Sequence, residues 1–154
     1  MSIERVRKQF RQWKIEDRIV ELDQSSATVK LAAQALGCEE RQIAKTLAFE
    51  VDEQPVLVVT SGDARIDNAK FKHYFHKKPH MISKEHVEQR IGHAPGGVCP
   101  FAVKPEVQVY LDISLRAMDI VYPACGSSNS CIKMTIEELE KTTDPVAWID
   151  VCKE

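Results

Sequence analysis

The order of apolar patterns predicts an α/β fold of α+β character, a mixed sheet with helices packed outside it. Three observations lead there. The runs Ala44–Val51 and Pro55–Thr60 both have strand character, and only Asp52–Gln54 lies between them, a hairpin-length connection. Segments with helical spacing are present, but they alternate with the strands only loosely. Several strand pairs are joined too tightly for the long crossover that a parallel pair needs, so a regular doubly wound sheet is excluded. At 154 residues and 17.4 kDa the chain is expected to be one domain over residues 1–154, long enough for one sizeable core.

Each element has its own signal. Ile3, Val6, Phe10 and Trp13 recur every three or four positions among Arg and Lys, which predicts an amphipathic helix over 3–13. Residues 19–22 are half alternating and read as a short strand. Ser25, Ser26 and Thr28 offer N-caps for a helix over 29–36, which Gly37 ends. A short turn follows at 39–42, before the hairpin. Ser61-Gly-Asp63 ends the second hairpin strand, and Asp67 or Asn68 caps a helix over 69–74. Residues 80–82 read as strand, and Ser83 as the cap of a helix over 84–91. Residues 107–111, 120–122 and 132–134 are strand-like. Thr135-Ile-Glu-Glu138 is a capping box that starts a helix reaching about Thr142, and 147–151 form a last strand.

Composition narrows the function classes. With 44% hydrophobic and 29% charged residues, the chain reads as an ordinary soluble globular protein. Its start has no apolar core of a secretory signal, and no apolar run is long enough to span a bilayer, so the expected compartment is the cytoplasm. Five cysteines at irregular spacing argue against a disulfide scaffold. The net charge of -2 conceals two basic segments. Residues 1–18 carry six Lys/Arg against three acids, and residues 65–90 seven against three, with four histidines. Such segments either present a basic face to a polyanion or are solvated helical faces. Metal binding has little support, since C-x-x-C and H-E-x-x-H are both absent and His73 and His76 lie among lysines.

Three stretches carry candidate chemistry. Ile91–Phe101 holds three glycines and two prolines and no acidic group. The paired Gly96 and Gly97 leave main-chain N–H groups uncovered, while Pro95 and Pro100 limit the loop's freedom. Such N–H groups suit a developing oxyanion, where losing one donor costs roughly 3–4 kcal/mol. Ala124–Ser130 is a second loop of small polar groups, suited either to holding a ligand or to a hydrogen-bonded turn. Lys45 sits in a strand with one inward face, so it either snorkels outward or places a point charge in a cleft. The expectation is that both loops and Lys45 form one small pocket for an anionic or carbonyl-bearing substrate. Asp112 ends a strand, where it orients a ligand or bonds to the backbone. Cys99 with His93 six residues earlier has the outline of a thiol and its base, but a small buried side chain is the commoner role.

With these residues in view, the chain resembles the YbaK/EbsC group, related to the editing domain of bacterial prolyl-tRNA synthetases. The likeness rests on Glu21-Leu-Asp23 with Ser26-Ala-Thr28, Gln42-Ile-Ala-Lys-Thr-Leu47 and Ser61-Gly-Asp63. It continues through Gly92-His93, Gly96-Gly-Val-Cys-Pro-Phe101, Tyr110-Leu-Asp112, Val121-Tyr-Pro-Ala124 and Gly126-Ser-Ser-Asn-Ser130. The resemblance implies a mixed, partly curled sheet flanked by helices, and hydrolysis of the ester that joins a wrong amino acid to tRNA. It implies a catalytic set of Lys45, Gly96, Gly97, Val98, Cys99 and Pro100. The implied substrate-binding set is Thr28, His93, Asp112, Gly126, Ser127, Ser128 and Asn129. No cofactor or metal is implied; the implied partners are the acceptor end of a tRNA and an aminoacyl-tRNA synthetase, with no membrane. Cys99 stands where serine is common in the group, and Cys125 and Cys131 where alanine is.

Overall fold

The computed structural model describes residues 2–154. Helix α1 (Ser2–Arg11) buries Ile3, Val6 and Phe10, three of the four positions its spacing selects, and ends two residues before the fourth, Trp13, which packs half-buried against the same core. A short strand β1 (Val20–Glu21) precedes α2 (Val29–Leu36). Of the three possible caps, Thr28 is the one used: its hydroxyl accepts the Leu31 N–H at 3.2 Å, and Gly37 closes the helix at φ 69°. The hairpin is β2 (Ile43–Val51) and β3 (Gln54–Ser61). Asp52 and Glu53 both take positive φ, as a tight two-residue turn requires.

Next come α3 (Asn68–Phe75), α4 (Val87–Ile91), β4 (Gln108–Asp112), β5 (Ile120–Pro123) and β6 (Ser130–Cys131). The chain ends with β7 (Met134–Thr135), α5 (Ile136–Thr143) and β8 (Ala147–Ile149). The capping box at Thr135 and Glu138 forms in both directions. Several elements differ from expectation: residues 80–82 make one isolated bridge, at Met81, in place of a strand, and the last strand stops at Ile149. Helix α4 begins three residues late, because Ser83 first closes a turn, its carbonyl accepting from the N–H groups of His86 and Val87. The single strand expected over 132–134 splits, because the chain leaves β1 at Cys131 and joins β5 at Met134.

The main sheet runs β7-β5-β2-β3-β4-β8, and β1 pairs with β6 in a separate ribbon. Antiparallel pairs (β2–β3, β5–β7) and parallel pairs (β2–β5, β3–β4, β4–β8) share it, so the sheet is mixed, and it curls into a half-barrel flanked by helices. Alternation along the strands builds a core on each face. Ala44, Ala48, Leu57, Val59 and Leu111 face α1 and the Ile91–Phe101 loop; Phe49, Val56, Val58 and Tyr110 face Phe71 of α3. Among the described residues, no helix is long and apolar enough to cross a membrane.

One irregularity positions the site. The outer edge of β2 is covered by β5 only at Ile43 and Ala44. Farther along, residues 80–82 cover it, Ile82 N–H donating to Ala48 O and Glu50 N–H to His80 O. Between these two partners the edge is open.

Candidate active site

A cavity of about 250 Å³ lies over that opening. Its walls take Ile43 and Lys45 from one face of β2 and Ala44, Thr46 and Ala48 from the other, so it straddles the strand's edge. Ser26, Ala27 and Thr28 approach from the start of α2, Gly96 and Val98 from the glycine loop, and Met81 and Lys84 from the rim. Val29, Ala32, Ile82 and Val87 make much of the remainder apolar.

The half-buried Lys45 extends alongside Ala64, whose carbonyl accepts from its Nζ at 2.6 Å. Burial holds its pKa below the ordinary lysine value, against the pull of Asp63. In the glycine loop, Gly96 takes φ 87° and is exposed. Gly97 donates its N–H to Ala94 O at 3.0 Å, whereas the N–H groups of Gly96 and Val98 have no acceptor among the described residues. Gly97 itself is buried against the second loop. A Cβ there would lie 2.9 Å from the main chain of Gly126 and Ser127, so the two loops touch backbone to backbone.

The serine-rich loop stands behind the cavity wall. Ser128 O accepts from Ser26 N–H at 2.6 Å, which ties down the Ser26–Thr28 wall. Ser127 Oγ donates to Asn129 Oδ1 and lies 2.6 Å from Ser130 Oγ, and Asn129 Nδ2 donates to Leu22 O at 3.0 Å. Gly126 supplies the surface on which Gly97 rests.

Four expected site residues, His93, Cys99, Pro100 and Asp112, lie buried away from the cavity. His93 is fully buried, with Nε2 2.6 Å from Phe101 O and 3.4 Å from Cys99 Sγ. A carbonyl only accepts, so Nε2 carries the proton and cannot take one from the thiol. Cys99 is also fully buried, and burial pushes its pKa up to about 12. The pair therefore lacks the thiolate that a nucleophile needs. Pro100 is buried beside it. Asp112 is buried and accepts from Ser114 N–H at 2.8 Å and Val151 N–H at 2.9 Å, joining β4 to the chain's last residues.

The cavity also contains residues absent from the expected set, notably Thr46, Tyr122, Met81 and Lys84. For Thr46 the sequence shows only a polar residue in a strand, which names no role; its place depends on where β5 stops pairing. For Met81 and Lys84 there was no signal, since their position depends on the bridge between Phe49 and Met81.

The family model described as "Aminoacyl-tRNA editing domain" matches residues 23–142. The uncharacterized protein YwhH of Bacillus subtilis is 44% identical over 155 residues, covering 100% of this chain and 99% of that one. A proline–tRNA ligase of Shouchella clausii is 34% identical over 104 residues, 67% of this chain but 18% of the ligase. A solved structure of a proposed trans-editing enzyme for prolyl-tRNA synthetase superposes with a TM-score of 0.88 at 30% identity, covering 99% of this chain and 98% of that one.

Proposed function

Because the chain belongs to the aminoacyl-tRNA editing domain family, we propose that it acts in trans, as a free-standing deacylase that removes a small wrong amino acid from tRNA. The supporting observation is the cavity that Lys45, Gly96 and Val98 line together. Its volume and apolar walls suit a side chain the size of alanyl, cysteinyl or seryl. One methylene changes such a fit by only about 1–3 kcal/mol, so discrimination among these is modest.

Hydrolysis here needs no protein nucleophile. Water attacks the ester carbonyl, positioned with help from the neighbouring ribose hydroxyl. The free N–H groups of Gly96 and Val98 stabilise the charge that develops on the carbonyl oxygen. Lys45 supplies a cation for the terminal adenosine or its phosphate, and without substrate its Nζ donates to Ala64 O. His93, Cys99, Pro100 and Asp112 keep the loop and strand ends in place. The partner is the acceptor end of a tRNA, with prolyl-tRNA synthetase as the protein nearest to hand. We assign the chain, as a single domain, to the cytoplasm, which agrees with its five unpaired cysteines.

A panel of mischarged tRNAs tests this reading. The expected result is release of at least one amino acid, and a loss of about 100-fold or more in Lys45→Ala, of the order seen when a charge-stabilising group is removed. The variant's circular dichroism should stay unchanged. Failure to exceed the spontaneous hydrolysis rate on every tRNA overturns the proposal.

A further inference from the structure

The open edge of β2 centres on Thr46. Main-chain groups of a strand face alternate edges with a period of two. Ala44 pairs with β5, and Ala48 and Glu50 bond to residues 80–82. Thr46 lies between them in the same phase, so its N–H and C=O face the same outer edge, and neither has a partner among the described residues. Its side-chain Oγ1 is a second unmatched group, buried and without a hydrogen-bond partner, in a residue that lines the cavity. A buried polar atom left unpaired is costly, and here it stands beside two main-chain groups that also lack partners.

The gap is one residue long. That is too short for an added strand, because β5 and Met81 close it at both ends. It does match one aminoacyl group, which keeps the nitrogen and carbonyl of an amino-acid residue in their usual relation. Two residues facing each other across an antiparallel pair exchange both N–H···O bonds.

We propose that Thr46 binds the aminoacyl group as though it were one residue of a neighbouring strand. Its C=O and Oγ1 accept from the substrate's α-ammonium, and its N–H donates to the ester carbonyl. This rests on the deacylase reading and deepens it. The α-amino group is read by the strand's main chain, and the side chain projects among the apolar walls. Gly96 and Val98 then meet the same carbonyl from the loop side. The grip is present before and during reaction, so its loss acts on binding more than on the chemical step.

The test uses the full chain and a non-hydrolysable probe, 3′-alanylamido-3′-deoxyadenosine. On saturation the Thr46 amide should exchange with solvent at least about tenfold more slowly, as a newly formed hydrogen bond requires. Thr46→Val, nearly isosteric, should raise KM for the edited tRNA about tenfold with kcat little changed, the loss expected for a bond to a charged group, while Thr46→Ser restores it. Unchanged Thr46 exchange under a probe that shifts the Val98 amide overturns the proposal and leaves deacylation standing. So does wild-type KM in Thr46→Val. No probe binding and no turnover on any tRNA would remove the deacylase reading, and this one with it.

Discussion

The glycine loop at 91–101 and the edge of β2 have exchanged the roles their compositions suggest. The loop has the chemistry-bearing residue types, yet most of it points inward: His93, Cys99 and Pro100 are buried, and Gly97 is packed against Gly126. The strand looks like ordinary core sequence, yet its edge is left open in the cavity at Thr46. The difference is one of main-chain accounting. Loop glycines here allow two backbones to touch, whereas the interrupted ladder of β2 leaves donors and acceptors unspent.

The sharpest way to break this comparison lies inside the loop. Gly97→Ala places a Cβ 2.9 Å from the main chain of Gly126 and Ser127, which cannot move aside as a flexible side chain would. A loss of roughly 3 kcal/mol is expected, the upper end for overpacking, read as a lowered denaturation midpoint. Gly96→Ala, by contrast, meets only Ser128 and Ala27 Cβ atoms at 3.5 and 3.6 Å and bears mainly the cost of φ 87°. It should lose about 1 kcal/mol. Equal losses in the two variants would mean that the loops do not depend on their close approach.

The two basic segments sharpen the same contrast between groups already spent and groups still available. Near the N-terminus, Arg7 pairs with Glu21, Arg11 with Glu16 and Arg18 with Glu138, and Arg5 donates to Gly92 O. In the second segment Lys72, Lys78 and Lys84 have no ion pair among the described residues, and Lys84 stands at the cavity rim. Lys8 and Lys14 of the first segment are likewise without an ion pair among those residues, so the two segments are told apart by the position of Lys84 at the cavity rim. Lys84→Glu should weaken tRNA binding and lower the slope of log affinity against log salt by about one, while Arg11→Glu leaves that slope unchanged. The reverse pattern would assign the acceptor stem to α1.

Local signals carried most of the fold. The Thr135 box, the Asp52–Glu53 turn and the stripe of α1 act within a few residues, and each formed as its spacing requires. That Lys45 and part of the glycine loop, Gly96 and Val98, would line one cavity was legible from their residue types. Thr46 was not legible in that way. Its significance depends on where β5 ends and where residues 80–82 begin to pair, and both are long-range facts. The burial of Cys99 and Asp112 was equally hidden, since composition cannot tell a catalytic thiol or carboxylate from a structural one.

The smallest expected effect concerns His93, which sequence places beside a reactive thiol and structure places in the core. Burial lowers its pKa from 6.5, although its bond to Phe101 O works the other way. The folded protein therefore resists protonating this ring, while the unfolded chain takes up the proton near pH 6.5. Its contribution to stability is complete above that pH and declines as pH falls below it, by no more than about 1.4 kcal/mol per pH unit. His93→Gln keeps an Nε2 donor for Phe101 O but does not titrate. Denaturant midpoints at pH 7.5 and 5.5 should differ less in this variant than in the native chain. Equal differences would mean that His93 takes up its proton as readily folded as unfolded, and that its burial beside Cys99 does not govern its charge.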